Sequence, residues 1–185
     1  IDINSATDNG IVVMNTPYGN SITTAEHTLS LMMSLARNIS QADQSTKSGK
    51  WEKSKFMGTE LFGKVLGMIG CGNIGSLVAE RSIGLKMNVL VHDPFVSETQ
   101  LQNIGAKKVE LQEIFKLADF ITLHTPLTNE TKGILNKVAL KLNGTLITSD
   151  DAISFSVEKI NKNYYIRFKS TWDIWSQKIC FLDSQ

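Results

Sequence analysis

The spacing of apolar and polar positions divides the chain into segments of two periods. "GIVVMNTP", residues 10–17, is a short apolar run bounded by Gly10 and Pro17, which suits a buried strand leading into a turn. The period then changes, because Ile22, Ala25, Leu29, Met32, Met33 and Ala36 recur at helical spacing, with Thr23 and Glu26 placed to form a capping box. A polar stretch over 38–63 reads as a helix end and an exposed loop, with Trp51 and Phe56 as its anchors. Residues 63–95, "GKVLGMIGCGNIGSLVAERSIGLKMNVLVHDPF", follow as a strand around Val65 to Ile69, a glycine turn, a helix and a second strand. Ile74, Leu77 and Val78 give that helix its inner face, and Gly84 stops it. Leu111, Ile114, Phe115 and Ala118 lie at i, i+3, i+4 and i+7, so this stretch is a helix with one buried face. "FITLHTP" is the next strand, ended by Pro126; "ILNKVALKLNG" reads as helix and "TLITS" as a further strand. Strands alternating with helices require crossover connections, which predicts an α/β doubly wound parallel sheet with helices on both faces.

Composition narrows the function classes. With 185 residues the chain can bury one substantial core, and 42% hydrophobic with 20% charged residues is ordinary for a globular domain. A formal net charge of +1 creates no long-range field, so neither nucleic acid nor an acidic membrane surface is expected as a partner. Two cysteines, Cys71 and Cys180, make neither a disulfide framework nor a zinc site, and no metal is expected. The default compartment is a reducing cytoplasm. No apolar run reaches membrane-spanning length, and "IDINSATDNG" lacks the basic start and apolar stretch of a signal peptide. That beginning has the look of a cut made inside a longer chain.

The glycines of "IGCGNIG" carry the chemistry. Gly70 permits a tight turn after the strand, Gly72 lets a diphosphate approach the backbone, and Gly75 lets the new helix pack on the strand, the Rossmann-like dinucleotide fingerprint. The helix N-terminus then turns its N–H groups and positive dipole end toward the phosphates. Asp93, at the end of the next strand and roughly twenty residues beyond the glycines, can accept hydrogen bonds from a ribose diol. It would also repel a 2′-phosphate, and no arginine follows it, so NAD is expected rather than NADP. His124 ends the "FITLH" strand on the edge where ligands bind in such sheets, where a structural and a cofactor-facing role are equally open. His27 and His92 read as ordinary surface or interface residues, Cys71 as a small side chain without redox chemistry, and Lys50, Lys53 and Lys55 as a solvated run.

"NGIVVMNTPYGNSITTAEHTLSLMMSLAR", "GKWEKSKFMGTEL", "GKVLGMIGCGNIGS", "VHDPF" and "DFITLHTPLT", in this order, closely resemble the D-2-hydroxyacid dehydrogenases, and among them the branch that oxidises 3-phosphoglycerate at the first step of serine synthesis. The resemblance covers about the first three-quarters of the chain. It implies an oxidoreductase of two domains, with the NAD domain inserted into the substrate domain and homodimers formed through the NAD domain. By position it places Gly70, Gly72, Asn73, Ile74 and Gly75 around the diphosphate, Asp93 on the adenosine ribose, and His124, Thr125 and Pro126 along the cofactor. The expected division is a remnant of the substrate domain at 1–20, the NAD-binding domain at 21–149 and a divergent, poorly ordered tail at 150–185.

Beyond the "TLIT" strand the family pattern stops. The family's substrate-gripping arginine falls, without gaps, on Asp151, which has the wrong sign for a carboxylate. The family's base is a histidine supported by a glutamate, and no histidine follows His124 here. Beyond Gly144 there is neither glycine nor proline. The expectation is a truncated or frame-shifted copy with no catalytic residue of its own, which binds NAD(H) and would meet 3-phosphoglycerate only if the missing substrate domain were supplied. A non-catalytic NAD-responsive binding protein is the alternative. A flavoprotein or methyltransferase fits less well, because the motif lies deep in the chain and "HTPLT" follows it.

Overall fold

The computed structural model describes residues 1–135 and, beyond them, the backbone of four strands only. The described elements run α1 (Ile3–Asp8), α2 (Ser21–Ala36), α3 (Ile39–Lys47), a 3₁₀ turn at Lys53–Phe56, β1 (Val65–Ile69), α4 (Asn73–Gly84), β2 (Asn88–His92), α5 (Glu98–Asn103), β3 (Lys107–Lys108), α6 (Leu111–Leu117) and β4 (Phe120–Leu123). The strands β5 (Thr145–Thr148), β6 (Ser154–Ile160), β7 (Asn163–Lys169) and β8 (Lys178–Ile179) follow. β3-β2-β1-β4-β5 form a parallel sheet in that order, β8 adds an antiparallel edge, and β6 pairs with β7 alone.

Both faces of the sheet are covered, which is why its central strands are apolar without alternation. Leu66 and Met68 of β1, Val89 and Val91 of β2 and Phe120 of β4 pack with Ala25, Met32 and Ala36 of α2, Val78 and Ala79 of α4 and Leu101 of α5. The residues between them in register, Ile69 and Ile121, meet Ile114, Phe115 and Ala118 from the other side. Period 2 along each strand therefore divides one apolar run between two helical layers.

The predicted elements stand with four corrections. Residues 11–16 form no strand: Ile11 N–H donates to Ala6 O, Val12 and Met14 are exposed, and no described strand lies alongside to complete a ladder. An apolar run is extended but not a strand where it finds no partner. Helix α2 begins at Ser21 behind Asn20, so Thr23 is not its N-cap and no capping box forms. Its buried line is Ser21, Ala25, Thr28, Met32 and Ala36, which leaves Ile22 exposed. Trp51 is 84% exposed and anchors nothing; the loop instead holds α3 and the 3₁₀ turn. Gly84 is still helical, and Lys86, at φ 62°, takes the left-handed position that ends the helix. The predicted helix at 134–144 and the order of the tail lie outside the described residues.

Candidate functional site

In a sheet ordered β3-β2-β1-β4, the connections after β1 and β4 leave toward opposite faces, and a crevice opens between their C-terminal ends. The sequence places "GCGNIG" after β1 and "HTP" after β4. The structure brings the two together. His124 N–H donates to Ile69 O at 2.8 Å, and Gly70 N–H donates to His92 O at 2.9 Å, so the three strand ends are fastened side by side.

The glycines differ in what they do there. Gly70 sits at φ +90°, and a Cβ added to it would lie 2.5 Å from His124 O and 2.8 Å from Thr125 Cγ2. The turn can pass β4 only without a side chain. A Cβ on Gly75 would lie 2.6 Å from Gly70 O, so it is the absence of a side chain that lets the first turn of α4 close against the strand end. Gly72, the N-cap of α4, is different, for a Cβ there meets nothing within 4 Å. Its backbone borders open space, and the first N–H groups of a helix have no acceptor within the helix. With the dipole of the 12-residue α4 behind them, they make an anion cradle.

Asp93 lies directly beyond β2 and is 8% exposed. Its Oδ2 accepts the Cys71 N–H at 2.7 Å and its Oδ1 accepts the Phe95 N–H at 2.8 Å. A carboxylate offers about four acceptor positions, so capacity is left for a diol. Burial, and secondarily the nearby Asp93 charge, push the Cys71 thiol up to about 11. It stays protonated and unreactive at neutral pH.

His124 stands at the end of β4, on the rim of the crevice, and is tied into the strand. Its Nε2 pairs with Thr122 Oγ1 at 2.9 Å, and Thr122 is fully buried in β4. Burial pushes the imidazole down to about 4, so it is neutral at physiological pH. The folded pKa lies below the ordinary value near 6.5. Between the two, the unfolded chain takes up a proton that the folded chain refuses, so this contribution is complete above about pH 6.5 and is lost as pH falls toward 4. Denaturant unfolding of the full chain should lose about 1–2 kcal/mol between pH 7 and pH 5 from this group. His124→Gln should flatten that dependence, and an unchanged pH slope in the variant would assign it elsewhere.

Beyond β4, Thr131 Oγ1 donates to Pro126 O at 2.6 Å and accepts the Thr128 N–H at 2.8 Å, which closes the loop that carries Thr125 and Pro126. The sequence reading missed these supports; "PLTNET" holds the signal, since a threonine hydroxyl three residues on can bond a turn's backbone. It also missed that Asp93 reaches the Cys71 amide. Lys50 and Lys53 are exposed, and Lys55 pairs with Glu52 on the surface. His92 Nδ1 lies 3.2 Å from Val109 O, at the β2 edge.

Residues 29–145 match the sequence model of the family described as "D-isomer specific 2-hydroxyacid dehydrogenase, NAD binding domain". Among curated proteins, D-3-phosphoglycerate dehydrogenase of Archaeoglobus fulgidus is 53% identical over 137 residues, and that of Bacillus subtilis 49% over 137 residues. Each alignment covers 74% of this chain and 26% of the relative, so the chain spans about a quarter of the length of the relatives it matches. Among solved structures, D-lactate dehydrogenase from Aquifex aeolicus, complexed with NAD and lactic acid, superposes with a TM-score of 0.73 at 30% identity. That superposition covers 82% of this chain and 46% of the other.

Proposed function

The chain belongs to the D-isomer specific 2-hydroxyacid dehydrogenases through their NAD binding domain, and from that membership we propose that the crevice between β1 and β4 holds NAD(H). Gly70, Gly72, Asn73, Ile74 and Gly75 surround the diphosphate, Asp93 accepts from the adenosine ribose, and His124, Thr125 and Pro126 run along the rest of the cofactor. The observation that carries this reading is the open backbone at Gly72, set at the mouth of α4 beside a buried carboxylate. Those residues fit the group. An anion meets N–H groups at the helix end, and a diol meets an acceptor at the β2 end. NAD supplies the hydride acceptor when bound; this chain's residues bind and orient it.

The parent activity in this reading is oxidation of 3-phosphoglycerate, the substrate class in the names of the most similar curated relatives. In this reading residues 1–20 belong to the substrate domain, 21–149 form the NAD-binding domain and 150–185 diverge from the family pattern. Oxidising an alcohol needs a base for its proton, and the three histidines of the chain are His27, His92 and His124. Neutral His124, paired with Thr122, serves as a brace for the β4 end and is not that base.

Calorimetric titration of the full chain with NADH tests the reading. Saturable binding is expected, with no turnover of 3-phosphoglycerate and NAD by purified protein. Heat that never saturates would remove the dinucleotide site. Turnover would show instead that a base and a carboxylate-gripping group are present in the chain after all.

A further inference from the structure

The Asp93 carboxylate is buried, and backbone amides meet both of its oxygens: one takes the Cys71 N–H at 2.7 Å and the other the Phe95 N–H at 2.8 Å. We propose that Asp93 is a positioning residue for the glycine turn, clamping the Cys71 amide onto the end of β2 and so setting the direction in which the N–H groups from Gly72 onward face. This inference rests on reading the crevice as a dinucleotide site, and it adds to Asp93 a role that does not pass through the ribose.

Three observations support the clamp. A buried carboxylate is costly unless hydrogen bonds satisfy it, and here two charge-assisted bonds come from two different backbone segments. The neighbouring Gly70 N–H is turned the same way, donating to His92 O at 2.9 Å, so two consecutive amides of the turn bond to the β2 end. The turn has no side chain at Gly70 or Gly72 to hold it, and Gly70 is in a left-handed conformation. An unclamped glycine turn would sample many backbone directions. A negative charge this close to a phosphate cradle opposes anion binding, and ordering of the cradle offsets that opposition.

The test uses the full chain in two measurements. The first is hydrogen exchange at the Cys71 amide without ligand, in wild type, Asp93→Ala and Asp93→Asn. Loss of a hydrogen bond to a charged acceptor should speed exchange in Asp93→Ala by at least about tenfold. Asp93→Asn, with one acceptor oxygen left for two amides, should fall between. The second compares binding of ADP with that of 2′,3′-dideoxy-ADP, which lacks both ribose hydroxyls. If Asp93 clamps the turn, Asp93→Ala weakens both nucleotides, dideoxy-ADP by about tenfold and ADP by more. A loss confined to ADP, or equal Cys71 exchange in wild type and Asp93→Ala, overturns the clamp and leaves the cofactor reading intact. Wild-type protein that binds neither ADP nor NADH overturns the dinucleotide reading, and the proposed role with it. Should Asp93→Ala fail to fold, the Cys71 amide in wild type and Asp93→Asn decides: unprotected exchange in the folded wild type sinks the proposal.

Discussion

Gly70→Ala is expected to destabilise the folded chain by about 2–5 kcal/mol, a large fraction of what holds a domain of this size together. Two costs add. The backbone at φ +90° is one that an L side chain rarely adopts, and the new methyl would lie 2.5 Å from the His124 carbonyl oxygen and 2.8 Å from its carbon. Those atoms belong to main chain, fastened to β1 through the bond from His124 N–H to Ile69 O, so they cannot swing aside as a flexible side chain would. Relief requires β1 and β4 to separate at their C-terminal ends, where the crevice lies. Urea unfolding of wild type and variant measures the loss, and a difference below about 0.5 kcal/mol would mean that the turn does not pass β4 as closely as described. NADH binding should fall with stability, because the same displacement opens the cradle.

The layers and the crevice were legible in the sequence because their signals are local and redundant. Strand, glycine turn, helix, strand and acid occupy one continuous stretch, and each part has a periodicity or a turn chemistry of its own. The misreadings fall where local pattern and tertiary context disagree. Ile11, Val12, Val13 and Met14 have the composition of a buried strand, yet strand formation depends on a neighbour that the pattern cannot name. Ile22 and Met33 belong to the helical stripe of α2, but Thr28 lies on the buried line instead, its hydroxyl donating to Thr24 O at 2.9 Å. A threonine that satisfies its own polarity within the helix can face the core, and a hydrophobicity pattern discounts it. Helix α5 did have a readable start, since Ser97 accepts the Gln100 N–H while the Gln100 side chain accepts the Ser97 N–H. Strand β3, two residues long, carries no pattern at all. Asp93 was visible as an acid at the end of a strand, but its bond to Cys71 spans 22 residues of sequence and follows only from the sheet bringing β1 and β2 side by side.

Gly72→Ala should have the opposite signature from Gly70→Ala: stability unchanged or slightly raised, and NADH affinity lowered by roughly ten- to a hundredfold. Gly72 is in extended backbone at φ −75°, outside the left-handed region that favours glycine, and a Cβ there meets no atom within 4 Å. Replacing glycine with alanine at such a position also restricts the unfolded chain, so urea unfolding should show a change between zero and about 1 kcal/mol in favour of the folded state. The open space is, however, where the diphosphate must come close to backbone N–H groups. A methyl there holds the phosphates away from the donors and overpacks the contact, worth about 1–3 kcal/mol, or roughly ten- to a hundredfold in affinity. The pair of variants therefore separates architecture from recognition within one turn, since one glycine is required by the protein's own main chain and the other by what the protein binds. Full NADH affinity in a well-folded Gly72→Ala protein would contradict the diphosphate placement, because no bound phosphate could then lie against that stretch of backbone.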